Sequence, residues 1–157
     1  MTGGQRFELR IHIGTHETTV AAEGGGDEDR VLRLGIGTRR TADDFLARTP
    51  PSPAALERAI AAIEDAVEQA RPLTAGRRVV LTGDAVFADV ARRVGTSNGH
   101  LTLEAVEQRY QEIANAAMGG VTSSGQAVEW NRQQMATVVI LRELMHHLGL
   151  AEVAVGG

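Results

Sequence analysis

FELRIHIGTHETTV, residues 7–20, is the stretch that decides how this chain is read. Phe7, Leu9, Ile11 and Ile13 alternate with Glu8, Arg10 and His12. That period of two predicts a strand with one face toward a core. Gly14-Thr15-His16 interrupts the alternation as a tight turn, and a second short strand follows over residues 18–22. Gly24-Gly25-Gly26-Asp27 reads as a flexible turn, and residues 30–34 alternate again, with Val31 opposed to Leu32 and Leu34. The first three elements therefore predict an antiparallel meander.

Beyond the meander, Thr41-Ala42-Asp43-Asp44 predicts the capped start of a short helix ending at Ala47. Ser52 as cap and Pro53 at the first helical position predict a long amphipathic helix over residues 53–71, with Leu56, Ile60, Ile63 and Val67 as its stripe. Val79-Val80-Leu81 is a continuous apolar run, the mark of a strand buried on both faces. Gly83-Asp84 turns the chain into a helix over 85–94, a loop follows over 95–99, and Thr102 caps a helix reaching Ala117. Residues 118–126, rich in Gly, Ser and Thr, read as mobile. The longest helix, 130–148, is dense in apolar residues and is expected at the centre, with Trp130 and Met135 in the core. Gly149 stops it, and residues 153–155 give a last strand.

With 157 residues, a single domain over 1–157 is expected, residues 1–5 being flexible. Such a chain buries roughly two-thirds of the surface its unfolded form exposes. One Trp, one Tyr and three Phe leave the core to Ala, Val, Leu and Ile, which suits layered α/β packing. A net charge of −4 and only short arginine pairs argue against a nucleic-acid partner. The absence of cysteine excludes disulfides, thiol catalysis and cysteine-type zinc sites. No leader opens the chain and no apolar run approaches the ~18–20 residues of a membrane span, so a soluble, cytoplasmic protein without a membrane partner is expected.

Three antiparallel strands followed by strands entered through helices is the plan of the ribonuclease-H-like, actin-like fold. The expected class is thus an α/β half-domain: a mixed sheet, three antiparallel strands then parallel strands, with helices on both faces. Within that plan, several weak motifs occur in a familiar order. His12-Ile13-Gly14-Thr15-His16-Glu17-Thr18 stands at the first turn, and Arg33-Leu34-Gly35 leads to Asp43-Asp44-Phe45-Leu46. Val79-Val80-Leu81-Thr82-Gly83-Asp84 precedes Val90-Ala91, then Gly99-His100-Leu101-Thr102, and the chain closes with Leu148-Gly149-Leu150-Ala151-Glu152-Val153. The sequence over residues 7–155 resembles the second half of the actin-like core of the exopolyphosphatase and guanosine pentaphosphate phosphatase family. That family opens the half-domain with Asp-Ile-Gly-Gly-Gly-Ser-Thr. Here His12 replaces the aspartate, and Thr15 and His16 replace glycines. The family's other half-domain, which carries a second phosphate loop and the catalytic glutamate, has no counterpart in this sequence. The resemblance implies half a cleft.

Phosphate hydrolysis needs N–H groups aimed at phosphate oxygens, a magnesium ion and a base for water. The resemblance implies Gly14, Thr15, Thr18 and Gly83 as phosphate contacts, with magnesium as the cofactor of an active form. Against this, Thr15 and His16 crowd the turn, and Asp84 would cap its own helix and repel phosphate. His12, His16 and Glu17 invite a metal reading that the intervening turn weakens, and His146 and His147 point about 100° apart on a helix. Gly35-Ile36-Gly37 lacks the third glycine of a dinucleotide fingerprint. Two functions stay open. One is a phosphatase-related lobe that is incomplete alone and needs a complementary lobe or a homodimer. The other is a non-catalytic module for phosphate sensing or protein interaction.

Overall fold

The computed structural model describes residues 8–23, 30–119 and 130–156. The expectations for residues 1–7, 24–27 and 120–126 lie outside them. β1 (Glu8–Ile13), β2 (Thr18–Glu23) and β3 (Arg30–Leu34) form the expected antiparallel meander. β4 (Arg78–Gly83) joins β1 in parallel, and β6 (Glu152–Val155) joins β4 in parallel. A further strand, β5 (His100–Thr102), lines the edge antiparallel to β6, giving the order β3-β2-β1-β4-β6-β5. β5 lies between the loop expected over 95–99 and the expected helix cap Thr102, and includes that cap; three residues are too few to show alternation.

The register places Ile11 between Val20 and Leu81, and Leu9 between Ala22 and Val79. All of these are buried. The opposite row is different: Arg10, His12, Val31, Arg33 and Arg78 are exposed, and Val80 is half-buried between fully buried neighbours. Among the described residues, the sheet is therefore covered on one face only. This corrects two expectations, helices on both faces and a β4 buried on both faces.

The helices are α1 (Thr38–Phe45), α2 (Pro53–Glu68), α3 (Arg71–Thr74), α4 (Ala85–Val94), α5 (Leu103–Ala117) and α6 (Arg132–His147). α6 touches α1, α2, α4 and α5, so these helices make one layer around it. Crossover handedness explains this. The steps from β3 to β4 and from β4 to β6 join strands pointing the same way and move in the same direction across the sheet. Right-handed connections then put both sets of helices on the same side. α6 is the helix expected at the centre: Met135 to Leu141 are all buried. Burying each of Met135, Val138, Val139, Ile140 and Leu141 stabilises by about 1.5–3 kcal/mol.

Two helix boundaries shift by three or more residues, the others by less. α1 begins at Thr38 with Gly37 at the N-cap, four residues before the expected cap, Thr41. Thr41 is inside the helix, and its Oγ1 accepts from the Gly37 N–H at 3.1 Å, a capping bond made from within. α2 ends at Glu68 rather than Arg71, because Pro72 sits in the first turn of the separate α3. Ser52, Asp84 and Thr102 cap their helices as expected. Gly149, with φ 69°, follows α6 in the left-handed conformation that stops a helix.

Candidate functional site

β1 and β4 end in register, Ile13 opposite Gly83, so the loops after them emerge side by side. The Asp84 N–H donates to the Ile13 carbonyl at 3.0 Å and ties the two exits together. The Gly14 and Gly83 bends thus share one opening. Asp84 is the hub of this opening. Its Oδ1 accepts from the Phe87 N–H at 2.9 Å, capping α4. Its Oδ2 accepts from the Thr15 hydroxyl at 3.0 Å and from the Thr38 hydroxyl at 2.7 Å.

The N-terminus of α1 points at the same place. Such a terminus is a ready anion site, because its first N–H groups have no partner within the helix. Here those donors are taken: Thr38 N–H donates to the Gly14 carbonyl at 2.9 Å, and Arg39 and Arg40 N–H donate to the Thr15 carbonyl at 3.0 and 3.1 Å. The approach is close enough that a Cβ on Gly37 would come within 2.5 Å of the Thr15 carbonyl oxygen. Glycine alone permits that contact.

The residues singled out as phosphate contacts have these places. Gly14 closes its turn by donating to the Glu17 carbonyl at 3.0 Å. Thr15 is bonded to Asp84. Thr18 is fully buried and donates to the Ile36 carbonyl at 3.0 Å. Gly83 lies under Phe87, where a Cβ would fall 2.5 Å from the ring carbon Cγ. Gly14, Thr15 and Gly83 come together; the Thr18 hydroxyl is turned into the interior. His12 pairs with Thr82 across β1 and β4 at 2.9 Å and is exposed, as is His16. Magnesium prefers an octahedron of oxygens including one or two carboxylates. The donors at the centre of this opening do not suit it, since Asp84 has both carboxylate oxygens committed within the protein.

A second polar constellation lies at the other end of the sheet, where the last turn of α6 precedes β6. Arg142 Nε donates to Glu107 Oε1 at 2.8 Å, and His146 Nε2 donates to the same oxygen at 2.5 Å. Burial pushes the Glu107 carboxyl up, but the His146 hydrogen bond and the Arg142 charge outweigh it and hold the group below its ordinary range. Beside it, Glu143 is buried, and that burial raises its carboxyl above the ordinary range against the pull of Arg142. His147 faces Glu64, Glu68 and Glu143. The two histidines diverge as the helical geometry predicts. Glu64, Glu143 and His147 each bring a ligand atom within 4.8 Å of the others. Sequence reasoning missed this cluster because it joins two distant helices; its one visible signal is the four-residue spacing of Glu64 with Glu68 and of Glu143 with His147.

By fold, the chain is an α/β protein with a six-stranded mixed sheet, and solved Ppx/GppA phosphatase structures share that fold over about half their length. It is similar to the Aquifex aeolicus Ppx/GppA phosphatase in its type II variant, with a TM-score of 0.69 at 14% identity, covering 97% of this chain and 53% of that one. An exopolyphosphatase from Cytophaga hutchinsonii aligns with a TM-score of 0.61 at 15% identity, over 98% of this chain and 54% of that one. An exopolyphosphatase-like protein gives 0.65 at 11% identity, over 96% and 54%. The chain spans about half the length of these structures. No family model and no curated protein matches the sequence. Among the described residues, no helix is long and apolar enough to cross a membrane.

Proposed function

We propose that this chain is a phosphatase-related lobe that does not hydrolyse phosphoanhydrides by itself, and that any such activity needs a second lobe, in the same polypeptide, in another chain or in a second copy. The observation that carries this reading is the closed bonding around Asp84. A phosphate-gripping loop presents free N–H groups and hydroxyls. In this lobe the α1 amides go to the Gly14 and Thr15 carbonyls, and the Thr15 and Thr38 hydroxyls go to Asp84. A carboxylate at the mouth also repels an incoming phosphate. In this reading Gly14, Thr15, Thr18 and Gly83 lock the strand-end loops together rather than hold a ligand. The likeness to exopolyphosphatase structures over about half their length supports the lobe description.

The test is phosphate release from polyphosphate and from guanosine pentaphosphate, with magnesium and the chain alone. None is expected; measurable turnover that Thr15→Val abolishes would overturn the reading. Thermal melting with polyphosphate or sulfate is expected to show no stabilisation, and a rise in Tm lost in Thr15→Val would return these loops to phosphate binding. A non-catalytic interaction module is the alternative, and it differs in that no second lobe restores activity.

A further inference from the structure

Glu64 and Glu68 lie four residues apart on α2, and Glu143 and His147 lie four residues apart on α6. Each pair therefore shares one helix face, and the two helices pack against each other. His147 Nε2 is 3.5 Å from Glu64 Oε1 and 3.5 Å from Glu143 Oε1. Those separations are long for hydrogen bonds. They match the ligand-to-ligand edge of a tetrahedron, about 3.4 Å when each ligand atom is about 2.1 Å from a central metal.

The surroundings fit the same geometry. His147 Nδ1, the other ring nitrogen, is 3.4 Å from Glu68 Oε2, a short ring rotation from an ordinary hydrogen bond. A carboxylate behind a metal-bound imidazole fixes the ring and raises its basicity. Arg142 Nη1 donates to Glu143 Oε2 at 2.5 Å, which leaves Oε1 toward His147. The Glu143 side chain is only 3% exposed, whereas those of Glu64 and His147 are 43% and 28% exposed. The three atoms thus have a buried floor and an open side, next to a surface groove lined by Thr74, Leu148 and Gly149.

We propose that Glu64, Glu143 and His147 bind one zinc ion, with water in the fourth position and Glu68 as a positioning residue for the His147 ring. A set of one imidazole nitrogen and two carboxylate oxygens suits zinc; calcium and magnesium favour oxygen ligands throughout. The ion ties the C-terminal end of α2 to that of α6. It sits at the end of the sheet remote from Asp84, so it stands independently of the proposed function.

The experiment titrates the metal-free chain with zinc chloride, read by calorimetry and thermal melting, and with cobalt(II), read by its visible spectrum. One ion per chain, a higher Tm and the intense absorption of tetrahedral cobalt are expected. His147→Ala and Glu64→Gln are expected to abolish binding, and Glu68→Gln to weaken it about 10–100-fold. Glu64 and His147 are partly exposed, so these variants are expected to fold, which circular dichroism verifies. His146→Gln, whose ring is bonded to Glu107 instead, is expected to bind as the parent does. The proposal is overturned by an absence of binding, by equal zinc affinity in parent, Glu64→Gln and His147→Ala, or by a loss in His146→Gln as large as in His147→Ala.

Discussion

Asp84 shows how much one side chain decides in this lobe. Its role as helix cap was legible, because the Phe87 amide it accepts from lies three residues along. Its other two partners, Thr15 and Thr38, are 69 and 46 positions away, and no local pattern announces them. The same distance hid the reason for Gly37, which is glycine because the Thr15 carbonyl presses on it. Asp84→Ala removes a cap, worth about 1 kcal/mol, and the acceptor of two charge-assisted hydrogen bonds. For a half-buried group the summed loss is expected at about 2–4 kcal/mol in urea unfolding. Asp84→Asn keeps an acceptor for Phe87 and loses the charge, so it is expected to fall about midway between parent and alanine variant. A neutral Asp84→Ala would contradict the hub. A fully neutral Asp84→Asn would leave only the cap.

At the scale of elements, legibility followed periodicity and length. The central place of α6 is legible because its apolar residues run round the whole helix, which only a buried helix tolerates. β5 escaped notice because three residues carry no period; pairing with β6 and the bridge between Ser97 and His100 hold it instead. The start of α1 is not legible, because Thr41-Ala42-Asp43-Asp44 has the pattern of a cap, yet Thr41 bonds backward to Gly37 from within the helix. α6 begins with a capping box in which Asn131 Oδ1 accepts from the Gln134 N–H at 2.8 Å and Gln134 Oε1 accepts from the Asn131 N–H at 2.9 Å. Since α6 contacts four other helices, its first turn anchors the layer. Asn131→Ala is expected to cost about 1 kcal/mol and to lower Tm by about 2–4 °C in calorimetry. No shift would mean that neighbours, such as Asp89 bonded to Gln134, hold the turn without the cap.

For the whole molecule, the sequence suggests a sandwich of helices around a sheet, and the described residues instead build two layers. The apolar run Val79-Val80-Leu81 promoted that reading, since it lacks the polar alternation of a half-open strand. Val80 is nonetheless on the face that carries Arg10, His12, Arg33 and Arg78, while Leu81 lies beneath the helices. Adjacent residues of one strand therefore test the layering directly. Leu81→Ala opens a cavity in a closed core and is expected to cost about 2–5 kcal/mol. Val80→Ala removes side-chain atoms already in contact with water, and under about 1 kcal/mol is expected. Both are measured by urea denaturation, where an unchanged m value confirms that the same surface unfolds. Comparable losses at the two positions would mean that a further layer covers the Val80 face in solution, most directly through a second copy of the chain, and sedimentation of the parent would then show a dimer.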